Sequence, residues 1–365
     1  MKKNITKYLL LALACLGLQS CLFQEENYFD DSSANRATAD VSRCGELLKG
    51  APNGWVMEYY VGKDYSLGGI TLLCRFDGQR VTMASQMSEA DETVSSLYSV
   101  KSEQATMLSF DTYNYLVHYF GQPQGSMSDD PNGTLGGDYE FIISSASAER
   151  IELKGKKYGN RIVMKALTED QTWKQYLTKI KKVEDDAFFY EYDLLMDGLY
   201  TGQMIRSNYT FIVTYYDEIG KVHQKTVPFM FTADGLRFHE PVTIDGQTMQ
   251  NFVWKNELIS FVCTDEGATG VKLAGVYTAG YQSYDYYPGT YQMDFYRLND
   301  ETGQLEVASQ EVRLLKNEDG KSYWLKGLEY DILVMYDKPR GGLSVSPQLL
   351  EKVQGGYVSL VILSF

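Results

Sequence analysis

Two periodicities run along this chain, and the two-residue alternation of strands dominates the 3.6-residue repeat of helices. After a polar stretch that ends near Asn35, residues 36–50 carry Val41, Cys44, Leu47 and Leu48 at helical spacing with Gly50 as a stop, which predicts an amphipathic helix. Short runs rich in Val, Ile, Tyr and Phe follow: GWVMEYY (54–60), GGITLLCRFDGQRVTMAS (68–85), QATMLSFDTYNYLVHYF (104–120), GGDYEFIISS (136–145), ERIELKGKK (149–157) and NRIVMKAL (160–167). Residue types and lengths mark these as strands, and the Asp-Gly after Phe76 and the stretch from Gly155 to Asn160 carry hairpin-turn chemistry.

One helix interrupts the strands. Thr168 with Gln171 reads as a capping box, Trp173, Tyr176, Leu177 and Ile180 share a face, and Lys179, Lys181 and Lys182 complement the dipole at the end. The acidic VEDD at 183–186 then marks a boundary, and strand patterns resume after Asp197-Gly198: SNYTFIVTYYD, QKTVPFMFTADGLRF, QTMQNFVWKNELISFVC, YQMDFYRL, QEVRLLKNE and EYDILVMYD. GGYVSLVILSF at the end reads as a last strand that closes or extends the second sheet. The pattern therefore predicts a mainly β chain of two antiparallel β-meander lobes, barrel- or sandwich-like, over 36–186 and 187–365, with an N-terminal helix and one helix near the lobe boundary.

The segment before the first helix has a different character. Lys2, Lys3 and Lys7 precede an apolar run from Tyr8 to Leu18, which is the length of a signal-peptide core and too short for an anchor helix of about 20 residues. Leu18-Gln19-Ser20-Cys21 resembles the bacterial lipobox, in which the cysteine sulfur takes a diacylglycerol and becomes the new N-terminus; Gln19 departs from the small residue usual there. Residues 1–20 are then a signal peptide, Cys21 the lipidation site and 21–35 an acidic leader. The Gln24-Glu25-Glu26 and Asp30-Asp31 clusters resemble the signal that sends lipoproteins of Bacteroidetes to the outer face of the outer membrane. A terminal Phe on a strand also resembles the closing strand of an outer-membrane barrel, but the strand runs are too irregular for that architecture.

Composition narrows the partners. With 44% hydrophobic and 22% charged residues the chain can bury a sizeable core. A formal charge of -14, more negative once the signal's lysines leave, excludes nucleic acid and an electrostatic grip on anionic lipid, so the outer-membrane link is the acyl chains. Beyond Cys21 only Cys44, Cys74 and Cys263 remain, an odd number in apolar surroundings that is no disulfide framework.

Candidate chemistry is sparse. No HExxH, nucleophile elbow, phosphate loop or dinucleotide fingerprint occurs, so neither a cofactor nor a zinc centre is expected from His118, His223 and His239. His118 follows the alternation of a strand, and His239-Glu240 precedes Pro241 in an expected turn. Glu58, Asp138 and Glu140 lie near aromatic residues, where a carboxylate on the polar side of a half-buried strand is the ordinary reading. Asp129, Asp130, Asn132 and Asp138 in the loop 126–138 offer oxygens that calcium could use, although without the register of an EF-hand and in a turn that needs no ion. Tyrosine is the richest signal: 29 in all, with Tyr281, Tyr284, Tyr286, Tyr287 and Tyr291 crowded around Gly280, Pro288 and Gly289. Flat rings with a hydroxyl suit a glycan or peptide, and they equally suit the faces of strands.

The runs NGWVMEYY (53–60), LSFDTYNYLVHYF (108–120), GGDYEFII (136–143) and LKGKKYGNRIVM (153–164), behind a lipobox and one helix, resemble the Bacteroidetes lipoproteins grouped as domain of unknown function 4302. The resemblance is good from about Phe29 to Leu195 and implies a surface lipoprotein encoded near a TonB-dependent importer and its capture lipoprotein, with no catalytic residues to carry over. The resulting expectation is a non-enzymatic accessory protein that binds a glycan or peptide during nutrient capture. A hydrolase with unrecognised acidic residues is the alternative, and a purely structural envelope role would show neither activity.

Overall fold

Residues 32–123, 133–217, 219–299, 301–353 and 356–361 are described by a computed structural model. The leader helix α1 (Ser33–Lys49) starts at Ser32, whose hydroxyl accepts the amide of Asn35, and it buries Cys44 and Leu48. It is followed by β1 (Trp55–Val61), β2 (Gly68–Phe76), β3 (Arg80–Ser85), β4 (Val94–Ser102), β5 (Thr106–Phe110), a one-turn helix α2 (Tyr115–His118), β6 (Glu140–Ala146), β7 (Arg150–Gly155) and β8 (Arg161–Ala166). These eight strands form a closed antiparallel barrel, because Trp55 pairs with Cys74 of β2 on one side and Ala166 of β8 on the other.

Helix α3 (Trp173–Asp186) leads to a second closed eight-stranded barrel of β9 (Glu191–Met196), β10 (Leu199–Ser207), β11 (Thr210–Tyr216), β12 (Val222–Phe231), β13 (Gly235–Ile244), β14 (Gln247–Lys255), β15 (Ser260–Cys263) and β16 (Val271–Val276), sealed by β16 against β9. The C-terminal β region anticipated over 187–365 also carries an open five-stranded sheet. Its strands are β17 (Gly289–Leu298), β18 (Leu305–Lys316), β19 (Ser322–Lys326), β20 (Ile332–Asp337) and β21 (Gly342–Ser344). The final pair, β22 (Gln348–Val353) and β23 (Gly356–Leu360), is a hairpin of its own and does not extend the second barrel.

Strand β1 shows why the pattern GWVMEYY is apolar on both faces. Trp55, Met57, Tyr59 and Val61 point into the first barrel and join its core, while Val56 belongs to the core cluster of the second barrel and α3. Alternation puts Glu58 and Tyr60 on that same outward face. Leu73 of β2 likewise joins the second cluster while Ile70, Leu72, Cys74 and Phe76 fill the first. The barrels thus lie side by side on β1 and β2, with the Tyr209 ring packed against both cores. Gly68 permits this approach: at φ 70° it would place a Cβ 2.1 Å from the Tyr209 carbonyl. Both interiors are apolar, the reverse of a membrane barrel's polar lumen, and no helix among the described residues is long and apolar enough to cross a membrane.

Four local expectations are corrected. The capping box of α3 is Thr172 with Gln175, not Thr168 with Gln171. Asn53 Nδ2 donates to the carbonyls of Thr168 and Gln171, at 2.7 and 2.8 Å, and so holds that stretch outside the helix. The last turn of α3 is acidic: Lys179, Lys181 and Lys182 precede it, and Lys182 pairs with Asp186. The run 104–120 is not one strand, since β5 stops at Phe110 and Asn114 caps α2, which puts His118 on a helical turn beside the Tyr139 ring. His239-Glu240-Pro241 is not a turn but part of β13, for a reason given below.

Candidate functional site between the barrels

Two irregularities of backbone, one from each barrel, face each other across a cavity of about 560 Å3. In the first barrel the link from β1 to β2 is a short 3-10 turn, Lys63–Tyr65, in which Asp64 and Tyr65 both have positive φ, 53° and 57°. Two successive residues without glycine's freedom there cost about 1 kcal/mol or more each. The turn delivers Tyr65 to the cavity wall, where its hydroxyl accepts the amide of Arg161 at 3.3 Å.

In the second barrel β13 bulges. Arg237 pairs with Asn251 and Val242 with Met249, so Phe238, His239, Glu240 and Pro241 oppose Gln250 alone. Pro241 has no amide to offer a neighbouring strand, which favours the break. Gln250 Nε2 holds the bulge by donating to the carbonyls of Phe238 and His239 at 3.2 and 3.4 Å. Bulges re-aim side chains, and here the His239 ring stands 4.0 Å from the ring centroid of Tyr65 and 4.3 Å from that of Tyr60. Burial, helped by Arg237 and Arg161, holds the His239 imidazole below its ordinary value of 6.5 against the opposing pull of Glu240. Burial likewise pushes the Tyr60 hydroxyl up, keeping it protonated.

Two carboxylates, Glu58 in the lining and Glu152 behind it, hold the cations of the cavity. Glu58 is buried; its Oε1 accepts from Lys165 Nζ at 2.7 Å and its Oε2 from Arg237 of the other barrel. The Nε of Arg237 is buried without a hydrogen-bond partner among the described residues. On the first barrel, Glu152 Oε1 accepts from both Arg150 and Arg161, at 2.9 and 3.1 Å. The lining contains no serine, threonine or cysteine among the described residues, and its only acids are Glu58 and Glu240. Both oxygens of Glu58 are thus occupied by cations of neighbouring strands. The arrangement presents guanidinium donors beside an aromatic wall.

The family model for a domain of unknown function, DUF4302, matches residues 25–256, which is more than half of the chain and spans every residue of this cavity. The chain belongs to the DUF4302 family. A second model, DUF4987, also a domain of unknown function, matches residues 264–365. The DUF4302 match ends before β15 and β16, the strands that close the second barrel. No curated protein and no solved structure matched the chain.

The residues singled out from sequence scatter with respect to this division. Tyr281, Tyr284, Tyr286, Tyr287 and Tyr291 lie in the DUF4987 part, far along the chain from the cavity. Tyr281 stacks on Phe188 and contacts Tyr336; Tyr284 and Tyr287 pack on the small core of the open sheet. Their hydroxyls are committed to backbone: Tyr284 to Ser322 at 2.8 Å, Tyr287 to Gly341 at 2.7 Å and Tyr291 to Tyr287 at 2.5 Å. Tyr286 stands out, 61% exposed. Within the DUF4302 part, Asp138 is buried and accepts the amides of Lys157 and Tyr158 at 2.7 and 3.0 Å, so it fastens the β7–β8 hairpin. Glu140 is held by Lys101 and Lys156. Asp129, Asp130, Asn132 and Cys21 lie outside the described residues, and among those described no group of three or more His, Cys, Asp or Glu could hold a metal. Cys44, Cys74 and Cys263 are buried free thiols.

Glu58 and His239 were visible in the sequence as residues and invisible as partners. Arg150, Arg161 and Arg237 gave no signal, being single charges on separate strands. The one available hint was Pro241 inside an otherwise strand-like stretch, which marks a bulge or an edge.

Proposed function

We propose that this DUF4302 member is a lipid-anchored protein of the outer membrane, tethered through Cys21 and facing the cell exterior, that captures a glycan or peptide in the cavity between its barrels without turning it over. The observation that carries the reading is the cavity itself: a strained turn and a bulge hold Tyr65 and His239 in place, and the buried carboxylate of Glu58 is spent on one ion pair within its own barrel and one to the other barrel. Strain and bulges cluster at ligand sites because the surrounding fold must stabilise them for some purpose. A cavity of about 560 Å3 falls in the range of small-ligand sites, roughly 300–1,000 Å3. The anchor rests on the lipobox-like Leu18-Gln19-Ser20-Cys21, and the association with a TonB-dependent importer and its capture lipoprotein rests on the family resemblance.

The test screens the purified full chain against glycan and peptide arrays and analyses each hit for products. Binding without products supports the reading; products whose formation is lost on substituting one carboxylate overturn it in favour of a hydrolase. Metabolic labelling with a palmitate analogue tests the anchor separately: label is expected on the wild type and absent from Cys21→Ala, and an unlabelled wild type removes the membrane address.

A further inference from the structure

The charges around the cavity are unevenly matched. Lys165 and Arg237 share the single carboxylate of Glu58, and Arg150 and Arg161 share one oxygen of Glu152. Of the described residues that line the cavity, Arg150, Arg161 and Arg237 face the carboxylates of Glu58 and the exposed Glu240, a local positive surplus on a chain whose formal charge is -14. Arg150 and Arg161 both rest on one oxygen of Glu152, and Arg161, 63% exposed, keeps further donors in solvent where a ligand can take them. An anion entering here replaces water at the guanidinium donors, and such charge-assisted bonds are about twice as strong as neutral ones.

The rest of the lining decides what carries the anion. Among the described residues that line it, Val163 and Pro241 are the only aliphatic ones, and two such side chains make no apolar socket for a peptide's side-chain anchors. Both barrels are closed and offer no free edge for an added peptide strand. Tyr65 and His239 supply instead the rings that hydroxyl-rich, flat-faced molecules use, and Gln250 and Asn251, whose amide nitrogens hold the bulge and Asp265, leave their side-chain oxygens as acceptors.

Resting on the reading of the cavity as a capture site, we propose that its ligand is an acidic saccharide, with a sugar carboxylate on Arg150 and Arg161 and the ring face against Tyr65 and His239. The test measures binding of an oligogalacturonate and of its methyl ester, identical except for the charge, by calorimetry on the full chain. The acid is expected to bind about tenfold or more tightly than the ester, and Arg150→Ala/Arg161→Ala to remove that advantage without changing the melting temperature. Should the double variant fail to fold, Arg161→Gln alone serves the same purpose. Equal binding of acid and ester, or an unchanged preference in the arginine variant, overturns the proposal while leaving the capture site standing. Tighter binding of a sulfated galactan or of an acidic peptide than of the uronate overturns the saccharide carboxylate in favour of that group. No binding of any probe, together with an empty array screen, overturns both.

Discussion

The two barrels and the open sheet that follows them are built from similar strands and stabilised by different means. Each barrel closes on itself, leaves no strand edge and fills its interior: the second alone buries Phe211, Phe229, Phe231, Phe238, Phe252 and Phe261. The five-stranded sheet has two edges, and its core cluster of buried residues is Leu314, Tyr323 and Val334. It compensates with tyrosines whose rings pack on one another and whose hydroxyls bind backbone carbonyls: Tyr323 donates to Tyr284 at 2.7 Å and Tyr336 to Gln282 at 2.9 Å. The difference teaches that tyrosine abundance marks the region poorest in apolar core, whereas the candidate site sits where two well-filled barrels meet.

Four substitutions sharpen that contrast. The largest effect is expected in the barrel interior: Phe229→Ala, fully buried and stacked on Phe211, should cost about 3–5 kcal/mol in chemical denaturation. Next, Glu58→Ala leaves Arg237 and Lys165 facing each other without their anion, and a loss of about 2–3 kcal/mol is expected together with weaker ligand binding. In the open sheet, Tyr323→Phe deletes one hydrogen bond for about 1 kcal/mol, and hydrogen exchange should quicken across β18–β20 while the barrels keep their protection. Tyr286→Ser, at an exposed ring, should stay within about 0.5 kcal/mol of wild type and leave binding unchanged; a loss of binding would return the site to the tyrosine loop.

The pH dependence follows from His239. Its folded pKa lies below the ordinary 6.5, so the folded chain takes up that proton less readily than the unfolded chain. Its contribution to stability is therefore full above about pH 6.5 and is lost as the pH falls from there through the folded value. Melting temperatures of wild type and His239→Asn should converge as the solution is acidified, and parallel curves would show that the imidazole is not responsible.

Local alternation made much of the fold legible. Strands β1–β3, β5–β8 and β11–β15, the N-terminal helix with its buried Cys44 and Leu48, and the turn at Asp197-Gly198, where φ values of 49° and 83° match a primed turn, follow from residue type and spacing, whereas β4, β9, β10 and β16 lie outside the runs that read as strands. What failed was competition between neighbours of similar propensity. Two Thr-x-x-Gln boxes stand four residues apart, and only the contacts of Asn53 decide which one caps α3. Closure into barrels was left open as barrel or sandwich, because the pairing of β1 with β8 joins residues more than a hundred apart. The site was least legible: Glu58, Arg161 and Arg237 come from three strands of two barrels, and nothing local to any of them records that they meet.

The most direct measurement of the central claim compares two variants on one array of acidic and neutral glycans and peptides. Arg150→Ala/Arg161→Ala alters the inter-barrel cavity, and Tyr286→Ser/Tyr291→Ser alters the tyrosine loop. Binding of acidic glycans should fall about tenfold or more in the first and persist in the second; unchanged binding in the first with loss in the second would contradict the account.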